Sequence, residues 1–428
     1  MLNYEKHTLG NGARVLLAPN KNTEAVTLAV LFGVGSRDED AKLAGISHFL
    51  EHLFFKGTKK RNSSQIISRE LDKIGASYNA FTSKEETGFW VKSASKDFRV
   101  AFDVLSDMIL HSLFDEAEIK KEKSVIEQEM NMNEDNPRRK VHDILDNIVF
   151  GVESIGRDII GKKETLKNIS RKDILSHKEK FYIGENAVIS VVGNLNAKEV
   201  LVLAEKFFGK LVKSSRPGIV KTKIGGEKPN IKIVRKKVDQ THFSLGFLSF
   251  DMYDERRYAL DLLAVLLGGC MSSKLFQEIR VKKGLAYYVY AHPSYYRDVG
   301  VFAVSAGVRH EKVEEAIKTT IRIIKEIKFK GLTGRELKEV KSHIRGQLAL
   351  QFETTDDVAS YLGGEELFYN KIITPEEVMK KIEKVTNRDI LKVAKEVFKP
   401  KNVSLAVITK EGDLAKEEKI LKKLIKNI

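Results

Sequence analysis

Apolar and polar positions in the first half of the chain follow two periods, and the switches between them mark the expected elements. Residues 7–9 and 13–18 alternate about the turn Gly10-Asn11-Gly12, which predicts a hairpin. Apolar runs at 26–34 and 187–192 predict buried strands, and two more strands are expected at 76–82 and 86–94, joined by Ser83-Lys84-Glu85. Helical spacing takes over at 41–56, where Ile46, Phe49, Leu50, Leu53 and Phe54 form one apolar face. Asp38, Glu39 and Asp40 supply acids at its start and Gly57 a stop. Further helices are predicted at 63–74, 98–111, 138–150, 171–181 and 197–207. A highly charged one, at 115–132, carries Ile119, Val125, Ile126 and Met130 as its apolar stripe. Residues 213–232 collect Ser214, Ser215, Pro217, Gly218, Gly225, Gly226 and Pro229 with little periodicity and read as a linker.

The second half repeats the first. Asp173-Ile174-Leu175 and Asn186 recur as Asp389-Ile390-Leu391 and Asn402, both at a separation of 216, and an apolar strand follows each set. The charged helix returns as well, EIKKEKSVIEQE at 118–129 matching ELKEVKSHIRGQ at 336–347. With 214 residues in half the chain, this is an internal duplication of nearly the whole fold. The expected architecture is therefore α+β, in two homologous domains at 1–212 and 233–428. The copies differ in chemistry: Glu129 corresponds to Gln347, Glu122 to Val340, and the stretch matching the first long helix, 258–267, has no histidine.

That first helix holds His48, Glu51 and His52, an H-x-x-E-H. Positions four apart share a helix face, so both imidazoles can reach one metal ion while Glu51 projects beside them. This is a zinc-hydrolase constellation with the carboxylate on the opposite side of the pair from H-E-x-x-H. On the charged helix, Glu122 and Glu129 are two turns apart and face the same way.

Composition narrows the setting. Hydrophobic residues at 42% and charged residues at 31% supply sizeable cores and exclude disorder as the main theme. A net charge of +15 raises nucleic acid as a partner, but the lysines are spread among glutamates and no nucleic-acid motif is present, so none is expected. Cys270 is the only cysteine, which excludes an intrachain disulfide and a cysteine-rich metal site. The longest apolar stretch, 262–271, is about half of what a bilayer requires, and the N-terminus has no apolar core of a secretory signal, so the expected location is cytoplasmic, away from membranes.

Several motifs carry a family resemblance: 45–52 (GISHFLEH) with 55–58 (FKGT), 75–82 with Asn79-Ala80, Glu122-x6-Glu129 followed by Asp135-Asn136-Pro137, 275–280 (LFQEIR) and 284–287 (GLAY). Across both halves the chain resembles the pitrilysin, insulysin and mitochondrial processing peptidase family of inverted-motif zinc metallopeptidases, in its short two-domain form. The resemblance implies that His48, His52 and Glu129 bind one Zn2+ per chain. It makes Glu51 the general base, and Glu122 a second catalytic glutamate that is not a ligand. Asn79 and Ala80 match the substrate-binding strand, where an extended peptide adds through main-chain hydrogen bonds. Arg280 and Tyr287 match an R-x6-Y pair in which the phenol stabilises the oxyanion and the guanidinium positions substrate. The implied activity is endopeptidase cleavage of short unfolded peptides or presequence-like segments inside a closed chamber. Zinc motif and R-x6-Y pair on one chain imply a homodimer, with a heterodimer of homologous subunits as the other arrangement. The family's Gly-rich loop is reduced to Gly268-Gly269. The alternative is a noncatalytic core or scaffold protein of the same fold, which has no physical need for the four motif residues.

Overall fold

In the computed structural model, residues 3–151, 153–224, 230–410 and 414–428 are described. They form two compact units, each organised on one sheet. The first sheet contains β1 (Glu5–Thr8), β2 (Arg14–Pro19), β3 (Ala25–Phe32), β4 (Ser77–Thr82), β5 (Thr87–Ala94) and β6 (Ala187–Gly193), in the order β1-β2-β6-β3-β5-β4. The second contains β7 (Asn230–Arg235), β8 (Thr241–Ser249), β9 (Ala286–Tyr295), β10 (Gly300–Val308) and β11 (Val403–Thr409), in the order β7-β11-β8-β10-β9. Each is antiparallel except for one parallel pair, β2 with β6 and β7 with β11.

The residues that betrayed the duplication turn out to be caps. Helices Arg171–Phe181 and Asn387–Val397 lie 216 residues apart at both ends, as do β6 and β11. Each helix opens on a capping box, Ser170 with Asp173 and Thr386 with Asp389, in which side chain and backbone N–H groups are satisfied reciprocally. Each is closed by the asparagine, as Asn186 donates to the Phe181 carbonyl and Asn402 to the Val397 carbonyl. Orphan groups at a helix end need partners whatever the packing, so these positions repeat where the surface does not.

The expected division at 213–232 differs from the structure in two respects. β7 begins inside it, at Asn230, and residues 225–229 of it lie outside the described residues. Moreover, each unit takes in a helix from the opposite half of the sequence. Pro137–Phe150 belongs with 221–348 and packs Val141, Leu145 and Val149 on Val301, Ala303 and Ile408. Thr355–Tyr369 belongs with the first unit, where Val358, Ala359 and Leu362 cover Leu16, Ala29 and Leu31. Its fastening is also ionic, Glu366 being buried against Lys6 at 2.8 Å. The opposite face of each sheet carries the larger core. Among the described residues, no helix is long and apolar enough to cross a membrane.

Candidate metal centre

The motif helix is shorter than its hydrophobic pattern predicts. Instead of 41–56 it is a single turn, Ala41–Leu43, followed by Ile46–Leu53. Gly45 separates them at φ 98°, a conformation that favours glycine. Of the three acids expected at its start, Glu39 does the capping from within the protein: its buried carboxylate accepts from the N–H groups of Gly45 (2.7 Å) and Ser47 (2.8 Å). Ile46, Phe49, Leu50 and Leu53 are buried in the core, which leaves His48 and His52 at the edge of the packed face, 13% and 22% exposed.

Opposite them runs the charged helix, Glu116–Glu134. Its buried stripe is Ile119, Glu122, Ile126 and Met130; Val125, expected there, is 43% exposed. A glutamate thus occupies a core position, and that is possible because it is met on both sides. Glu122 accepts from His52 Nδ1 at 2.8 Å, and its other oxygen lies 2.6 Å from Lys56 Nζ. Burial works against the Glu122 carboxylate, yet His52 and Lys56 outweigh it and hold its pKa below the usual range. Burial likewise works against a charged His52, and Glu122, Glu51 and Glu129 more than offset it, raising its basicity.

Because Nδ1–H of His52 donates to Glu122, its Nε2 presents a lone pair in the other direction. There it meets Glu129 Oε2 at 3.6 Å, and His48 Nε2 meets the same oxygen at 3.7 Å. The two rings are 4.6 Å apart between centroids. Ligands bonded to one tetrahedral zinc are separated by roughly 3.3–3.6 Å. His48, His52 and Glu129 are the only histidine, cysteine and carboxylate set among the described residues whose ligand atoms converge in this way. Two imidazoles and one carboxylate fit a zinc ion, and such a set would leave a fourth position for water or substrate.

Glu51 stands on the same helix, and its Oε2 accepts from the Thr82 hydroxyl at 2.6 Å. Burial raises its pKa, against the Thr82 bond, which lowers it. Thr82 ends β4, the edge strand that also carries Asn79 and Ala80. Ala80 packs against the core beside the motif helix, while Asn79 is exposed and its Oδ1 accepts from the Ala80 N–H at 2.9 Å. Arg280 and Tyr287 lie in the second unit and are brought together there, the guanidinium 5.9 Å from the phenol ring centroid and 4.9 Å from that of Phe276. Arg280 is on a π-helical stretch, Phe276–Lys282, and Tyr287 is 73% exposed at the start of β9.

The residue pattern gave no role to Lys56 or Thr82 and marked Glu39 only as one of three acids ahead of the motif helix. Lys56 follows His52 by four residues, so it could have been found by asking which charges fall beside the motif on its helix. Thr82 shares strand parity with Ala80, which is a weaker signal. Glu39 gives none, since an acid ahead of a helix is ordinary.

A duplicated α+β fold with an inverted histidine-glutamate motif and a third carboxylate seven residues past a buried one defines a class of metallohydrolase. The comparisons agree: residues 14–163 match the family described as insulinase (peptidase family M16), and 168–344 match the peptidase M16 inactive domain. The chain belongs to peptidase family M16. A Bacillus subtilis protein named an uncharacterized zinc protease is 36% identical over 412 residues, covering 96% of this chain and 99% of that one. A Streptomyces coelicolor protein of the same designation is 33% identical, with 94% and 88% covered. Among solved structures, a protease from Helicobacter pylori is similar with a TM-score of 0.89 and 25% identity, covering 96% of this chain and all of the other. A Pseudomonas fluorescens structure described as a peptidase M16 inactive domain shares the fold, with a TM-score of 0.89 and 19% identity.

Proposed function

We propose that this protein is a zinc-dependent endopeptidase of short, unfolded peptides, with His48, His52 and Glu129 as ligands and Glu51 as general base. The observation that carries the reading is the convergence of two imidazole Nε2 atoms on one Glu129 oxygen, with Glu51 on the same helix. Zinc held by His48, His52 and Glu129 would lower the pKa of a water towards about 7 and polarise a peptide carbonyl. Glu51 takes a proton from the attacking water as the water oxygen bonds to the carbonyl carbon, then hands it to the amine as the C–N bond breaks. Glu122 keeps His52 in the tautomer and orientation that binding needs, so its role is positioning rather than proton transfer. The open edge of β4 at Asn79 and Ala80 takes an extended peptide as an added strand, and main-chain recognition makes few demands on substrate sequence. Arg280 and Tyr287 supply a substrate-positioning cation and an oxyanion donor. We assign them in trans, from the second chain of a homodimer closing around a chamber. Support for this comes from the presence of both half-sets on one chain.

The test is Glu51→Gln in zinc-loaded protein against an unstructured fluorogenic peptide. Zinc content should stay at one per chain while hydrolysis falls by about a thousandfold or more. A wild type that binds no stoichiometric zinc, or a variant of equal activity, overturns the reading and leaves the scaffold alternative.

A further inference from the structure

We propose that Thr82 is a positioning residue for peptide-bond hydrolysis: its hydroxyl holds one oxygen of Glu51 so that the other faces the reacting water. The inference rests on the reading of Glu51 as general base. Among the described residues the Thr82 hydroxyl is the only hydrogen-bond partner of the Glu51 side chain, and Glu51 the only one of that hydroxyl. At 2.6 Å it is a charge-assisted bond of the strong kind. A glutamate has three side-chain torsions, so a base without such a tether spreads over several rotamers and meets its water in only some of them.

Thr82 is suited to the task because of what holds it. Along β4 the residues alternate, with Ser77, Asn79 and Phe81 exposed and Tyr78, Ala80 and Thr82 half-buried on the side of the motif helix. Immediately beyond Thr82 the chain enters a turn that is anchored rather than free. Ser83 Oγ accepts from the N–H groups of Glu85 and Glu86, Ser36 and Arg37 donate backbone N–H groups to the Ser83 and Lys84 carbonyls, and the Arg37 guanidinium is 2.6 Å from the Glu85 carboxylate with both buried. Gly35 makes this approach possible, since a Cβ there would come within 2.4 Å of the Ser83 carbonyl oxygen. Valine would serve the strand as well as threonine by shape and β-propensity. What threonine adds is the hydroxyl, and it is spent on the base. The strand that receives the peptide main chain on its open edge therefore also fixes the base, so substrate alignment and base alignment share one rigid element.

Steady-state kinetics of zinc-loaded Thr82→Val, Thr82→Ala and Thr82→Ser test the proposal. Val and Ala should lower kcat by roughly 10–100-fold with KM within about twofold and zinc content unchanged, and Ser should restore most of the loss. In a Glu51→Gln background, Thr82→Val should cost nothing more, because the group it positions is gone. Unchanged kcat in both Val and Ala variants, a Ser variant as poor as Val, or a loss confined to KM or zinc content would overturn it. Two removal variants are used so that misfolding of either leaves the other to decide. The two readings fail separately: an active Glu51→Gln sinks the general base itself, whereas an inactive Glu51→Gln beside a fully active Thr82→Val and Thr82→Ala sinks only the role of Thr82.

Discussion

The two copies of the duplicated helix pair differ in whether a buried charge on the second helix finds partners. In the first, the charged helix buries Glu122 because His52 and Lys56 meet both of its oxygens. In the second, Gly334–Leu350 buries Val340 at the matching position, Gln347 stands where the first copy has Glu129, and a cavity of about 330 Å³ lined by Val265, Leu266, Val340 and His343 lies against it. The helix entries differ too: Gly45 and the Glu39 carboxylate open the motif helix abruptly, whereas Arg257–Ala264 starts without a side-chain cap. The copy that lacks the histidine pair and Glu129 thus also lacks the buried carboxylate of Glu122, a group that is costly to keep unpaired.

Exchanging features between the copies breaks the comparison where it is strongest. Val340→Glu buries a carboxylate in the second copy beside a cavity that Glu336 and Glu339 already line, with His343 the one histidine in that lining and Lys274 already paired with Glu336. It should lower unfolding free energy in urea by about 3–4 kcal/mol. Glu39→Ala leaves two backbone donors at the motif helix without their acceptor. A loss of about 2–3 kcal/mol is expected by the same assay, with zinc affinity weakened alongside. Glu122→Val, which copies Val340 into the first unit, should weaken zinc binding by roughly 10–100-fold in a competitive chelator titration.

A pH-dependent effect, absent at neutral pH, concerns a further difference on the capped helices. His177, whose ring is 3.1 Å from the Ser47 hydroxyl, corresponds at the 216 offset to the buried Val393. Burial pushes the His177 pKa down to about 3, with Lys180 adding to it. The unfolded chain binds this proton first, so the neutral ring stabilises the fold fully above about pH 6.5, and the contribution falls as pH drops towards 3. Relative to His177→Val, the wild type should lose stability over that window with a slope of up to about 1.4 kcal/mol per pH unit. Parallel pH profiles for the two proteins would refute the assignment.

Much of this was legible in the residues. The helices at 98–111 and 171–181 follow directly from apolar spacing, and the repeat of Asp173 and Asn186 marked caps that any packing requires. His48 and His52 were legible as candidate ligands from their spacing, and Glu129 only through the family resemblance. Illegible were the features that depend on which surface an element meets. Periodicity tells that Pro137–Phe150 has an apolar face but not that a sheet of the opposite half receives it. Charged residues in the turn after β4 look solvated, yet Arg37 and Glu85 are buried against each other. Gly45 hid the break in the motif helix, because a single glycine inside a helical pattern is tolerated as often as it interrupts.

The most direct measurement is zinc stoichiometry and affinity of the wild type against Glu129→Gln, the substitution that gives the first copy the residue of the second. Metal analysis after dialysis against a weak chelator should find one zinc per wild-type chain and far less in the variant, with the fold unchanged by circular dichroism. A wild type that retains no zinc, or a Glu129→Gln protein that retains it equally, would contradict the account.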